Sequence, residues 1–459
     1  MRAMPQVLDE SKPIWRTMLV FLIPLMLSNV LQSAQGTAAS IFLGRLIGTQ
    51  ALAAVSAFFP IQFLLIAFFI GIASGSTVLI GQAFGAGNTE RIREIAGTTL
   101  TVALCLGIGV GLLGALLTEP LLRLTGTPAD IFPTTVVYAK IIFFALPIFF
   151  VYLAYTTFLR GVGDSATPFY FLIFSTALGI VLTPTFILGW FGIPRFGVAG
   201  SAVASTIAVC FGLIGLLIVL QRRNDVLKFD GAMIRDLRVR WAILRAVIRI
   251  GLPTGVQTII VSIAEIAVIG FVNRFGSNAT AAYGAVNQVV SYVSFPALSI
   301  GIASSIFGSQ AIGAKRNDRL PAIVRSGVAL NYIVAGGLIA VVYLFSWAIL
   351  GAFVTDPHTL AVAHDLLMIT LWSYVLFGNN TVLSGVMRSS GTVVPPTLIS
   401  VTATLLVEVP VAYVLSVHTA LGLRGVWIAY PVAFACGLIA QTCFYKFVWT
   451  HEKIEAIKL

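Results

Sequence analysis

Stretches long and apolar enough to cross a bilayer recur twelve times in this chain, at approximately residues 15–43, 52–82, 92–117, 131–158, 168–190, 196–221, 243–273, 280–311, 319–347, 360–387, 394–415 and 424–449. A hydrocarbon core about 30 Å thick takes roughly 20 apolar residues per helix. The composition leaves little alternative: 58% of the 459 residues are hydrophobic and 10% charged, against roughly 25% charged in soluble domains. Prolines inside the runs, Pro24, Pro60, Pro147, Pro184, Pro253, Pro296 and Pro410, predict bends rather than breaks, because neighbouring helices can satisfy the freed backbone groups. The four cysteines, Cys105, Cys210, Cys436 and Cys443, lie in apolar runs without a CxxC, so neither a disulfide framework nor a metal site is expected. The opening MRAMPQVLDESKPIWRT lacks the form of a cleaved signal peptide, so the first run is expected in the mature protein.

Loop charge sets the expected orientation. With both termini inside, the inner segments carry 22 of the 28 lysines and arginines, among them Arg2, Lys12, Arg16 and Lys458, while Arg45, Arg123, Arg195, Arg274 and Arg424 lie outside. Basic residues accumulate on the cytoplasmic side of membrane proteins, so the termini are expected in the cytoplasm. The same bias accounts for the net charge of +11. Arg222 to Arg249, about the connector 222–242, is expected to lie against anionic lipid headgroups, and no nucleic-acid partner is expected.

The chain repeats itself. GIASGSTVLIGQAFGAGN, Gly71 to Asn88, returns as GIASSIFGSQAIGAKRN, Gly301 to Asn317; Pro24 matches Pro253, Arg45 matches Arg274, and FLRGVGDSATP from Phe158 parallels LSGVMRSSGTVVPP from Leu383. Six spans per copy is an even number, so both copies have one orientation, as in parallel repeats with a substrate pathway between them. The expected organisation is an N-terminal six-helix lobe at 1–221, a basic connector at 222–242 and a C-terminal six-helix lobe at 243–459.

In the proline-containing first helix, the AL-AAV segment, the GQAFGAGN and LRGVGDSATP turns and the two-times-six arrangement, the whole chain resembles the multidrug and toxic compound extrusion (MATE) transporters, most closely their DinF-like bacterial branch. The resemblance implies two pseudo-symmetric six-helix lobes that export cationic or amphipathic organic compounds in exchange for inward H⁺ or, alternatively, Na⁺. It also implies a bacterial inner membrane, no cofactor beyond the coupling ion and a monomer. Many relatives carry an N-lobe cation site built on acids in the first and fifth helices. Those positions here are Ala39, Gly179 and Thr183, so that mechanism does not carry over.

The second copy does the opposite. Thr183 plus 225 is Glu408, and Ala39 plus 229 is Val268, within a helical turn of Glu265. An ionised carboxylate at the bilayer centre costs on the order of 3 kcal/mol and marks a proton or ion path by default. Glu265 and Glu408 are therefore the candidate coupling residues, against the reading that each is a neutral interhelical hydrogen bond. Asn29, Gln32, Ser33 and Gly36 form one helical stripe. With Gln257, Asn287, Gln288, Asn379 and Asn380 they are candidate pathway residues, although polar groups also tie helices together for about 0.6 kcal/mol each.

Five further features receive readings that carry no function. GVGLLG, Gly109 to Gly114, is read as helix packing rather than a dinucleotide loop. Asp164 is expected to cap the fifth helix, Lys140 to snorkel outward, and His364 with Asp365 to be solvated rather than metal-binding. Asn278-Ala279-Thr280 is a glycosylation sequon that a bacterial host leaves silent. A flippase for a lipid-linked precursor is the alternative, but the basic residues lie in loops rather than spans; an enzyme would need a convergent nucleophile, histidine or metal set that the spans lack.

Overall fold

A computed structural model describes residues 13–457; Arg2, Lys12 and Lys458 of the charge count lie outside them. Among the described residues, twelve helices are long and apolar enough to span a membrane: α1 Ile14–Leu46, α2 Thr49–Gly85, α3 Thr89–Leu124, α4 Phe132–Gly161, α5 Ala166–Leu188, α6 Val198–Arg222, α7 Trp241–Asn273, α8 Ser277–Gly313, α9 Asn317–Leu344, α10 Pro357–Ser389, α11 Val394–Val417 and α12 Leu423–His451. Their outer faces expose Leu116, Ile333 and Leu344 by 70% or more, as helices bathed in lipid do. The chain is an all-α, multi-pass membrane protein.

Helices continue past the apolar runs where polar groups can be served. α3 runs through Glu119 and Pro120 to Leu124, well beyond residue 117. Glu119 also answers the Lys140 expectation: the ammonium lies 3.9 Å from the Glu119 carboxylate, both groups partly exposed, so Lys140 has an acidic neighbour rather than only a route outward. Pro24, Pro60, Pro147, Pro184, Pro253 and Pro296 lie inside continuous helices. Pro410 instead follows a π-turn, Ala403–Glu408, in which the Val409 N–H bonds back to Thr404. A second π-turn, Asn331–Ala335, interrupts α9. Each inserts a residue into the turn and re-aims the side chains around it.

The chain forms two compact units, one of residues 27–83 and 88–248, the other of 84–87 and 249–457 with the start of α1. In the first, α3 packs on α4, α5 on α6 and α4 on α6. Gly107, Gly111 and Gly114 share the α3 face that meets α4: a Cβ at Gly111 would come 2.6 Å from the Phe143 carbonyl oxygen, and one at Gly107 2.5 Å from Pro147 Cα. Small residues let backbones approach where no hydrophobic force drives helices together, which is the role of the GVGLLG region. Asp164 caps α5, accepting the Thr167 N–H at 2.9 Å and its hydroxyl at 2.6 Å.

The connector docks on this first unit. Asp230 caps a short helix, Gly231–Asp236, accepting the N–H groups of Ala232 and Met233, and Arg93 donates to the Val226 carbonyl at 3.1 Å. Arg240 pairs with Glu94 at 3.0 Å and Asp236 at 2.9 Å. The Met233 N–H, helped by Lys228 and Arg93, holds the Asp230 carboxyl below its usual value. Lys228 and Arg240 are thus engaged by acids of the protein, leaving Arg222, Arg223, Arg235 and Arg238 on the exposed side.

In the second unit the same pattern returns: α9 on α10, α11 on α12 and α10 on α12, with α8 along α10. One core surrounds Tyr283, Trp427 and Tyr430. Another joins Met18, Phe21 and Leu22 of α1 to Phe307, Val386 and Trp449. The tail of α2 lies here too, Gly85 against the Gln310 backbone, where a Cβ would collide. The turns that end the repeated segments match: Gly87 and Lys315 both take left-handed backbone, φ 67° and 59°.

Candidate functional site

Glu265 lies on α7, next to Ala264 and one turn before Val268, which are buried in the second unit's core. Its Oε2 accepts hydrogen bonds from the hydroxyls of Tyr283 on α8, at 2.8 Å, and Tyr430 on α12, at 3.1 Å. The two hydroxyl oxygens are themselves 2.9 Å apart. Tyr283 is held by parallel stacking on Trp427, centroids 6.0 Å apart, and Tyr430 by an edge contact with Phe434 at 6.3 Å. Three oxygens in a closed triangle make three hydrogen-bonding edges. The two tyrosines supply two protons, so a proton on Glu265 fills the third edge, and an ionised Glu265 still keeps two donors.

Glu408 ends the π-turn of α11 and is 3% exposed, its Oε1 without a hydrogen-bond partner. The charge of Glu265 acts on Glu408, and both carboxylates act on Tyr374 and Tyr430. The two carboxylates thus belong to one electrostatic cluster, although among the described residues no hydrogen bond joins them directly. Tyr374 packs edge-on against Phe434 at 5.3 Å, so an aromatic layer links the groups. Sequence reasoning singled out the glutamates and missed the three tyrosines; Tyr283 precedes Asn287 by one turn, which was the available signal.

The other expected residues divide. Gln257 does not join this cluster: its Oε1 accepts from Arg388 at 2.7 Å and from Thr397 at 3.5 Å. Asn379 is tied to the α9 π-turn, accepting from Asn331 at 2.9 Å and donating to Tyr332 at 3.2 Å. Adjacent Asn380 turns toward Gly437 of α12, with a buried Oδ1 that has no partner. Asn287 and Gln288 are partly buried on α8.

The first unit contains a cavity of about 380 Å³. Gln32 and Gly36 line it as the stripe predicted, but Ser28, Gln35 and Ala39 complete the α1 face in place of Asn29 and Ser33. Five polar residues within two turns gave α1 a polar face too broad for its register to be read. Among the described residues no carboxylate lines the cavity, and Arg160 is the one charged group that does. Gln35 accepts from Thr176 at 3.3 Å, and the buried Tyr152 hydroxyl has no partner.

The sequence model of the MatE family matches two stretches of equal length, residues 24–185 and 253–414, each beginning on a repeat proline. "Probable multidrug resistance protein YoeA" of Bacillus subtilis is 52% identical over 98% of this chain and 97% of its own. "Probable multidrug resistance protein YpnP" of the same organism is 26% identical over 94% and 95%. A crystal structure of MATE in complex with MaD3S superposes with a TM-score of 0.88 at 22% identity, covering 98% of this chain and 99% of that one.

Proposed function

Because the chain belongs to the MatE family, we propose that it is a secondary antiporter that exports amphipathic organic compounds, cationic ones among them, in exchange for inward protons. The alternating-access cycle is taken to run in a bacterial inner membrane, with the chain a monomer and both termini cytoplasmic. The names of the relatives support drug-like substrates.

The observation that carries the coupling is the Glu265 triangle beside Glu408. A carboxylate that is well bonded both with and without its proton can gain and lose it without a large barrier. A second carboxylate nearby disfavours two simultaneous negative charges, so protonation of one site is felt at the other. One proton moving inward is worth about 2.3 kcal/mol per 100 mV, which sustains a gradient of about fiftyfold for a neutral substrate.

The test is dye efflux from proteoliposomes under imposed pH or Na⁺ gradients. Glu265→Gln and Glu408→Gln are expected to abolish proton-driven transport while the protein still inserts and binds dye. Wild-type rates in both variants, or transport that responds to Na⁺ alone, would sink the coupling assignment. Cysteines placed in the connector and labelled from either side of the membrane test the orientation.

A further inference from the structure

The two copies treat one arginine differently. Arg160 and Arg388 occupy the same repeat position at the ends of α4 and α10, each three residues before a glycine with left-handed backbone, Gly163 at φ 90° and Gly391 at φ 88°. In the second unit Arg388 donates to Gln257 at 2.7 Å. Gln257 comes four residues after Pro253, and the position four residues after Pro24 is Ser28, too short to carry an amide to the guanidinium. Both Ser28 and Arg160 line the first unit's cavity. Among the described residues Arg160 makes no ion pair, and the group whose field it shares is the unpartnered Tyr152 hydroxyl.

A lone guanidinium in a cavity lined by neutral hydroxyl, amide and apolar groups invites an anion. The cavity follows α4 from Ile142 to Arg160, a length of about 27 Å at 1.5 Å per residue. Its walls between these ends include Leu146, Phe149, Leu153 and Leu172. We propose that this cavity is a binding site for an amphipathic organic carboxylate, the head group on Arg160 and Tyr152 and the apolar body along α4. Arg160 grips the two carboxylate oxygens through its forked donors, and the Tyr152 hydroxyl donates a third bond. The site is separate from the carboxylate cluster of the second unit and does not depend on proton coupling.

Binding is measured by fluorescence on the full chain in nanodiscs of neutral lipid, without any gradient, so that failure of coupling and failure of this site are distinguishable. The probes are dansyl-labelled undecanoate, its methyl ester and an analogue ending in trimethylammonium. The acid is expected to bind at least about tenfold more tightly than the ester, the value of one charge-assisted hydrogen bond, and the trimethylammonium analogue more weakly than both. Arg160→Gln is expected to erase the preference. Ser28→Gln retains the charge but supplies the amide that Gln257 gives Arg388, and is expected to weaken the acid without weakening the ester. Equal binding of acid and ester to the wild type, or an undiminished preference in folded Arg160→Gln, overturns the proposal. So does displacement of the probe by phosphatidic acid but not by octanoate, which would assign the site to a lipid phosphate.

Discussion

Tyr283 donates a 2.8 Å hydrogen bond to Glu265 from the neighbouring helix, 18 positions further along the chain. Tyr430 reaches the same carboxylate oxygen from α12, so the acid on α7 is held by two other helices. Whatever moves α7 relative to α8 or α12 must break or remake this triangle.

Tyr283→Phe and Tyr430→Phe are each expected to slow proton-driven efflux about tenfold, since a hydrogen bond to a charged group contributes about 1.5–3 kcal/mol. The double variant is expected to fall short of the product of the two, because both donors serve one oxygen and neighbouring sites do not add. Efflux rates in proteoliposomes, corrected for protein content, decide this. Unchanged rates in both single variants would mean that the hydroxyls only pack.

Gln257→Leu removes the group that accepts from Arg388, whose Nε already lacks a partner. Leaving a buried donor unmet costs about 1–3 kcal/mol. The variant is expected to melt earlier in detergent than Gln257→Glu, which keeps an acceptor there. Equal melting of the two would remove Gln257 from the stabilising set.

A Cβ at Gly378 would overlap the Asn331 amide, whereas one at Gly336 would meet nothing within 4 Å. Gly378→Ala is therefore expected to destabilise by the 1–3 kcal/mol typical of overpacking, and Gly336→Ala to be neutral or mildly stabilising. Thermal unfolding of both in one detergent makes the comparison. A stable Gly378→Ala would mean that the π-turn of α9 can give way.

The connector is expected to loosen in acid. The Met233 N–H, with Lys228 and Arg93, holds the Asp230 carboxyl below its usual value. A group depressed on folding contributes stability that is complete above its unfolded value, near pH 4, and lost as pH falls through the folded one. Hydrogen exchange over residues 226–240 is expected to be slow at pH 7 and to speed up, beyond the intrinsic pH effect, in strong acid. Asp230→Ala, which removes the capping oxygen, is expected to loosen the connector at pH 7 already, and equal protection at pH 7 would refute the capping role.

Bilayer thickness makes spans legible, because a length requirement is written directly in the run of apolar residues. Span ends are not so written: α3 continues through Glu119 and Pro120 once Lys140 is alongside. The glutamates stood out because an acid in lipid is expensive, while Tyr283 and Tyr430 did not, since a tyrosine serves equally as a packing residue. Asn29 and Ser33 lost their places to Ser28 and Gln35 because the polar face of α1 is wider than the cavity it lines. Neither π-turn has a sequence signature, and Pro410 after Glu408 was only a hint.

Met18, Phe21 and Leu22 at the start of α1 pack into a core that Trp449 helps to close. α1, made well before Trp449, therefore finishes packing only after the last described helix has been made. At a synthesis rate of about 5–20 residues per second, the roughly 430 residues between Met18 and Trp449 take about 20–90 seconds to make. During that time this face of α1 must be sheltered by the insertion machinery or by lipid, so a truncation that spares every other span but removes Trp449 should still leave the N-terminal helix poorly anchored.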